Sequence, residues 1–239
     1  MTKTAAPMTS GSIWKQMTFF AMPIFLGNLF QQLYNTVDSL IVGNFLGSSA
    51  LAAVSSSGSL IFMLIGFLSG ISAGAGVIVA RFFGAGDEKN LQRAVHTTVA
   101  FGLVAGVLMT GVGVALSPQI LRWMDTPESV MRESVTYLQI YFAGSLGFVM
   151  YNVLVGILQA VGDSRHPLYY LIVSSVINLV LDLLFITGFH TGVGGAAVAT
   201  VISQIVSALL CFWQLLRTKE SYGLKIRKIR FDKGILVQI

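Results

Sequence analysis

The chain is expected to be all-α and to lie in a membrane, which it crosses with six helices. Three observations predict this. Only 10% of its residues are charged while 54% are hydrophobic, and mean hydropathy is +0.77; a soluble domain carries about 25% charged residues. Six apolar runs each approach the ~20 residues that a bilayer needs. The basic residues, finally, fall almost wholly in alternate connections, as the positive-inside rule requires.

Taken in order, residues 1–13 read as a polar cytoplasmic tail without a signal-peptide core, with Trp14 as an interface anchor. The first span, about 17–43, is apolar yet carries Asn28, Gln31, Gln32, Tyr34, Asn35 and Asp38. A helix turns about 100° per residue, so Gln31, Tyr34 and Asp38 share one face. A carboxylate at membrane depth costs about 2.5–3.5 kcal/mol on insertion scales unless it faces a cavity or a partner. This helix is therefore expected to line a water-filled cavity. The second span, about 50–80, is long enough to tilt, and its Gly70 and Gly74 form a GxxxG pair read as intramolecular packing. The third span covers about 94–118. The fourth, about 134–160, carries Tyr137, Tyr141 and Asn152. The fifth, about 167–189, opens at Pro167, and the sixth, about 194–216, carries Thr200 and Gln204. Residues 218–239 contain LKIRKIRFDK, read as a basic cytoplasmic linker, with contact to anionic lipid as the alternative. The apolar run Gly234–Ile239 reads as the approach to a further element.

With the N-terminus inside, only Arg122 and Arg132 of the 15 Lys and Arg residues fall outside, so both ends are expected in the cytoplasm. The net charge of +5 then reflects topology, and nucleic acid is not expected as a partner. The single cysteine, Cys211, sits in an apolar run and suggests neither disulfide nor metal. His96, His166 and His190 stand at no metal-ligand spacing and read as bystanders.

The chain also contains a repeat. Pro23 precedes Asp38 by fifteen residues, as Pro167 precedes Asp182. With one inserted residue after Asp182, Gly43 matches Gly188, Gly47 matches Gly192 and Ser55 matches Thr200. Both copies start inside, so spans one and two are related to spans five and six in parallel, an arrangement that places sites near the midplane between repeats. Asp38 and Asp182 are the only acids deep inside spans, and Asn178 lies one turn before Asp182 on the same face. If the two polar faces meet, a carboxyl there could take up a proton, or an ionised pair could hold a hard monovalent cation such as Na⁺. The plain alternative is a pair of acids hydrogen-bonded for packing.

At these residues the chain resembles the multidrug and toxic compound extrusion (MATE) family. The resembling pieces are Gln31-Gln32-Leu33-Tyr34-Asn35-Thr36-Val37-Asp38 with Val42-Gly43; Ala80-Arg81-Phe82-Phe83-Gly84-Ala85-Gly86-Asp87; Gln159-Ala160-Val161-Gly162-Asp163; and Asn178-Leu179-Val180-Leu181-Asp182. The resemblance implies secondary export of cationic or amphiphilic drugs, driven by H⁺ or Na⁺, from the plasma membrane (in bacteria, the inner membrane). It implies no cofactor and no enzymatic activity. By motif match it implies a cation-coupling cluster of Asp38, Asn178, Asp182, Thr200 and Tyr137, with Gln31, Tyr34, Asn35 and Asn152 lining the same cavity. It implies bending of the first helix near Pro23. The family has two six-helix lobes and this chain resembles the first, so the partner is a second lobe or a second copy. Three alternatives stand beside it, one of them a non-transporting membrane scaffold, which leaves the buried acids unexplained. A lipid-linked saccharide flippase or polysaccharide exporter would want a basic cavity, which the spans lack. An intramembrane aspartyl protease would want Tyr-Asp and Gly-x-Gly-Asp, whereas Val37 precedes Asp38 and Leu181 precedes Asp182.

Overall fold

The computed structural model describes residues 13–238 and is a bundle of helices. These are α1 (Ile13–Leu46), α2 (Ser48–Gly84), α3 (Glu88–Trp123), α4 (Glu128–Ala143), α5 (Ser145–Ala160), α6 (Arg165–Leu183), α7 (Val193–Arg217) and the short α8 (Lys233–Leu236). A π turn, Leu184–Gly188, continues α6, and a 3₁₀ turn, Ile226–Lys228, precedes α8. The polar tail expected over 1–13 lies outside the described residues, apart from Ile13 at the start of α1.

Each boundary has a local cause. Asp87 caps α3 by accepting from the Asn90 amide at 3.1 Å. Asp232 caps α8 in the same way through the Gly234 and Ile235 amides. Pro167 stands in the first turn of α6, where no intrahelical amide bond is lost. Gly47 (φ 89°) and Gly192 (φ 64°) precede α2 and α7 in a backbone region that favours glycine. These two are the glycines that the repeat pairs with each other. The residue inserted into the second copy falls where α6 widens into its π turn. A π turn is how a helix absorbs one extra residue, so the repeat's mismatch has a structural address.

The expected fourth span is two helices, not one. α4 and α5 are bent by 50° at Gly144. The Gly144 amide is shared between the Ile140 and Tyr141 carbonyls, and Val201 of α7 occupies the space a Cβ would need. The bend and the close approach of α7 thus depend on the same missing side chain. Gly70 faces open space, whereas the tight crossing of α2 on α5 is made by Ser72, which donates to the Asn152 carbonyl at 2.7 Å beside Gly156.

Four helical segments among the described residues are long and apolar enough to cross a membrane: α2, α3, α6 with its π turn, and α7. The bent α4–α5 pair makes up to five. α1 is long enough, but its polar residues make it less apolar than these. Outward faces are studded with large apolar side chains, such as Phe62, Phe67, Leu108 and Leu209, each more than half exposed. Lipid, not water, suits such a surface.

α1 packs mainly on α6 and α2, while α5 sits among α2, α3 and α7. The largest core, with Leu91, Val95, Leu154, Ile157 and Leu158, lies around α5, and Tyr222, Leu224 and Ile235 from beyond α7 complete it. The segment expected as a linker is therefore a strap folded back on the bundle. Gln92 donates to the Ser221 and Gly223 carbonyls, Arg93 pairs with Asp232 at 2.5 Å, and Thr97 accepts from the Asp232 amide at 3.2 Å. His96 accepts from the Lys225 amide at 3.0 Å through Nε2 while Nδ1 meets the Gln92 carbonyl at 2.5 Å. Far from a bystander, this histidine fastens the strap.

Candidate functional site

The helical period brings one polar face of α1 to a cavity. Gln31, Tyr34, Asn35 and Asp38 line a cavity of about 230 Å³ whose other walls include Tyr137 and Tyr141 of α4 and Thr200 and Gln204 of α7. Asn35 also donates to Gln32 at 3.3 Å, within its own helix. Tyr137 stacks on Tyr141, with ring centroids 6.5 Å apart and planes at 21°. Tyr34 lies against the Thr200 side chain, whose hydroxyl donates to the Ala196 carbonyl at 3.0 Å. Thr200 is thereby left as an acceptor toward the cavity.

Asp182 is fully buried on α6, directly behind Asp38, and the two carboxyl groups meet side chain to side chain. Asn178, also buried, holds Asp182 from one turn earlier. With its amide oriented to satisfy both neighbours, it donates to Asp182 Oδ2 at 2.7 Å and accepts from the Thr200 amide at 3.1 Å. One side chain thus joins α6, α7 and the acid pair. The Oδ1 atoms of Asp38 and Asp182 are buried and take no hydrogen bond among the described residues. Two carboxylates at contact repel, and a proton or small cation between them removes that repulsion. Carboxylate, amide and hydroxyl oxygens converging in this way suit a hard monovalent cation as well as a proton.

Asn152 is not among the residues that line the cavity beside Asp38. Asn152 and Pro23 line a second, larger space of about 600 Å³, nearer the start of α1. Gln31, Ile65 and Phe148 border both spaces, so they adjoin. Tyr137 and Tyr141 ride on α4, whereas Asn152 stands more than two turns farther along, on α5. Its Nδ2 donates to the Phe148 carbonyl at 2.9 Å, which fastens it to its own helix. The Asp163–His166 pair at 2.6 Å caps α6 and takes no part in either cavity. His96, whose partner lies 129 residues away, had no local signal.

A membrane bundle with a buried acid pair between related helices, one acid open to a polar cavity, has the build of a secondary transporter lobe. The family model MatE matches residues 23–184, and the chain belongs to that family. Over 95% of its length it is 36% identical to the probable multidrug resistance protein YoeA of Bacillus subtilis (strain 168), of which it covers 50%. It is 26% identical to the multidrug export protein MepA of Staphylococcus saprophyticus, covering 51% of that protein. The solved outward-facing conformation of a multidrug resistance MATE family transporter of the MOP superfamily superposes over 100% of this chain and 52% of that one, with TM-score 0.89 at 26% identity. The chain spans about half the length of the curated relatives it matches. Membership in a family of transporters sets the protease alternative aside.

Proposed function

We propose that this chain is one six-helix lobe of an antiporter that exports cationic or amphiphilic drugs in exchange for H⁺ or Na⁺. In this reading α1 is the sixth crossing, its polar face turned from lipid into the cavity. The basic residues keep both ends in the cytoplasm, and the membrane is the bacterial inner membrane. The second lobe, or a second copy, supplies the opposing wall against which the bundle rocks.

The observation that carries the reading is the contact of Asp38 with the buried Asp182 at the wall of the cavity. With Asp38 ionised, the cavity attracts a cation, and Tyr34, Tyr137 and Tyr141 offer aromatic faces to its apolar parts. A proton arriving at the pair removes the negative charge, and the drug loses its counter-ion. Na⁺ bound by the unpartnered Oδ1 atoms acts in the same sense. Either ion entering along the membrane potential supplies about 2.3 kcal/mol per 100 mV. Asn178 keeps Asp182 oriented through the cycle and relays its state to α7 through the Thr200 amide. Pro23 lacks an amide hydrogen, so α1 has a weak point one and a half turns ahead of Asn28, at the wall of the larger cavity. Neutralising the pair loosens α1 from α6 and bends it there. A saccharide-exporting role is disfavoured by the acids, since an anionic cargo would meet the wrong charge.

The test is accumulation of a fluorescent cationic dye in efflux-deficient cells, with Asp38→Asn as the paired variant and membrane levels of both measured. The parent, supplied with a second lobe, is expected to exclude dye and the variant to fill with it. Normal exclusion by Asp38→Asn would overturn the mechanism.

A further inference from the structure

Outside the transport cavities, a cleft of about 580 Å³ opens between the first turns of α3 and the strap. Lys89 and Arg93 line it from α3, and Arg227, Lys228 and Arg230 from the strap. These two groups are more than 130 residues apart in sequence, so folding, not local composition, brings them together. Positive-inside topology explains why each is basic. It does not explain why they surround one space, because clustering like charges costs energy unless an anion shares it.

The walls are held in place. The strap backbone is pinned through His96, Thr97 and Gln92, and its inner side chains Tyr222, Leu224 and Ile235 are buried in the core. Asp232 is the acid of the cleft, and it pairs with Arg93. Among the described residues, Lys89, Arg227, Lys228 and Arg230 make no ion pair. Beside these cations the strap turns Ile226 and Phe231 outward, 60% and 46% exposed. Apolar side chains alternating with cations are what a segment needs to sit at the boundary between headgroups and acyl chains.

We propose that this cleft binds a phosphate-bearing anion, and that its natural source is the headgroup of an anionic phospholipid in the leaflet against the strap. The phosphate oxygens take hydrogen bonds from the Arg227 and Arg230 guanidinium groups, and Lys89 and Lys228 act as point charges at the rim. The lipid's acyl chains lie along Ile226 and Phe231. The site is independent of what the transport cavity carries.

Two probes distinguish the source, each applied to the purified chain in uncharged detergent. Native mass spectrometry counts retained phosphatidylglycerol against phosphatidylcholine, and titration calorimetry measures inorganic phosphate alone. The variants are Lys89→Gln, which leaves the strap untouched, and the triple Arg227→Gln/Lys228→Gln/Arg230→Gln. Preferential retention of phosphatidylglycerol is expected. It should weaken about fivefold in the single variant and more than tenfold in the triple, in line with the worth of one cation near an anionic surface. Phosphate binding that falls in the same order without preference between the lipids would support the site with a soluble source. Equal retention of both lipids with no phosphate binding would overturn the proposal. So would binding of either probe that Lys89→Gln leaves unchanged.

Discussion

Asn178 does more with one side chain than any other residue near the acid pair. Its amide is the donor to Asp182 Oδ2 and the acceptor for the Thr200 amide, both inside the bundle. Replacing it with leucine preserves bulk and removes both partners. Leaving a buried acceptor and a buried donor unmet costs about 1–3 kcal/mol. The thermal unfolding midpoint of purified Asn178→Leu in detergent is therefore expected to fall clearly below the parent's; an unchanged midpoint would mean that Asp182 does not depend on that donor. At the same scale, Asn178 and Asp182 could be picked from the sequence because amides and acids are scarce in apolar helices, whereas Thr200, one hydroxyl among many, joined the coupling cluster only through the family resemblance. Asn152 looked equivalent by that criterion, yet it serves another cavity. Scarcity marks a residue as inward-facing but does not say which interior it faces.

Among the elements, the α4–α5 pair departs furthest from the sequence reading. An apolar run over 134–160 reads as one helix because nothing in it resembles a breaker stronger than glycine, and glycines are common in such spans. The contact that demands glycine comes from outside the run: Val201 of α7 sits where a side chain at Gly144 would be. Gly144→Ala is expected to destabilise the chain by about 1–3 kcal/mol through overpacking. Adding Val201→Ala should restore at least half of the loss in unfolding midpoint. If the two losses simply add, the contact is not what requires glycine. The π turn shows the opposite case. The count from Asp182 to Gly188 exceeds that from Asp38 to Gly43 by one, and the structure places that extra residue in the bulge.

For the molecule as a whole, the strap decides how the chain beyond α7 is held. Desolvation pushes the Asp232 carboxyl up, but the Ile235 amide, the Arg93 guanidinium and the Gly234 amide outweigh it and hold the group below its ordinary value. The sign follows from the lowered value. The stabilisation is full above the unfolded-state pKa of about 3.9 and is lost as pH falls through the lower, folded-state one. Hydrogen exchange at Gly234 and Ile235, corrected for intrinsic rate, should keep its protection from pH 7 to 5 and lose it only in stronger acid. Loss of protection with a midpoint above pH 5 would assign the hold to another group. Asp87 at the α3 cap is lowered too, first by the Asn90 amide, and its contribution runs in the same direction.

The sequence by itself determined the class of molecule, the cavity-lining residues of α1, the two interior acids and the spacing shared by α1 and α6. Each rests on counts and periods along the chain: apolar length, a 100° turn per residue, and matched Pro–Asp and Gly–Gly spacings. The tertiary structure alone decided that Asp38 touches Asp182, that the interior is two adjoining spaces, that the fourth apolar run bends, and that the basic tail straps itself to α3. Those are contacts between residues far apart in the chain, whose geometry depends on how side chains fill the space between helices. Periodicity says which way a side chain points, and only packing says what it meets.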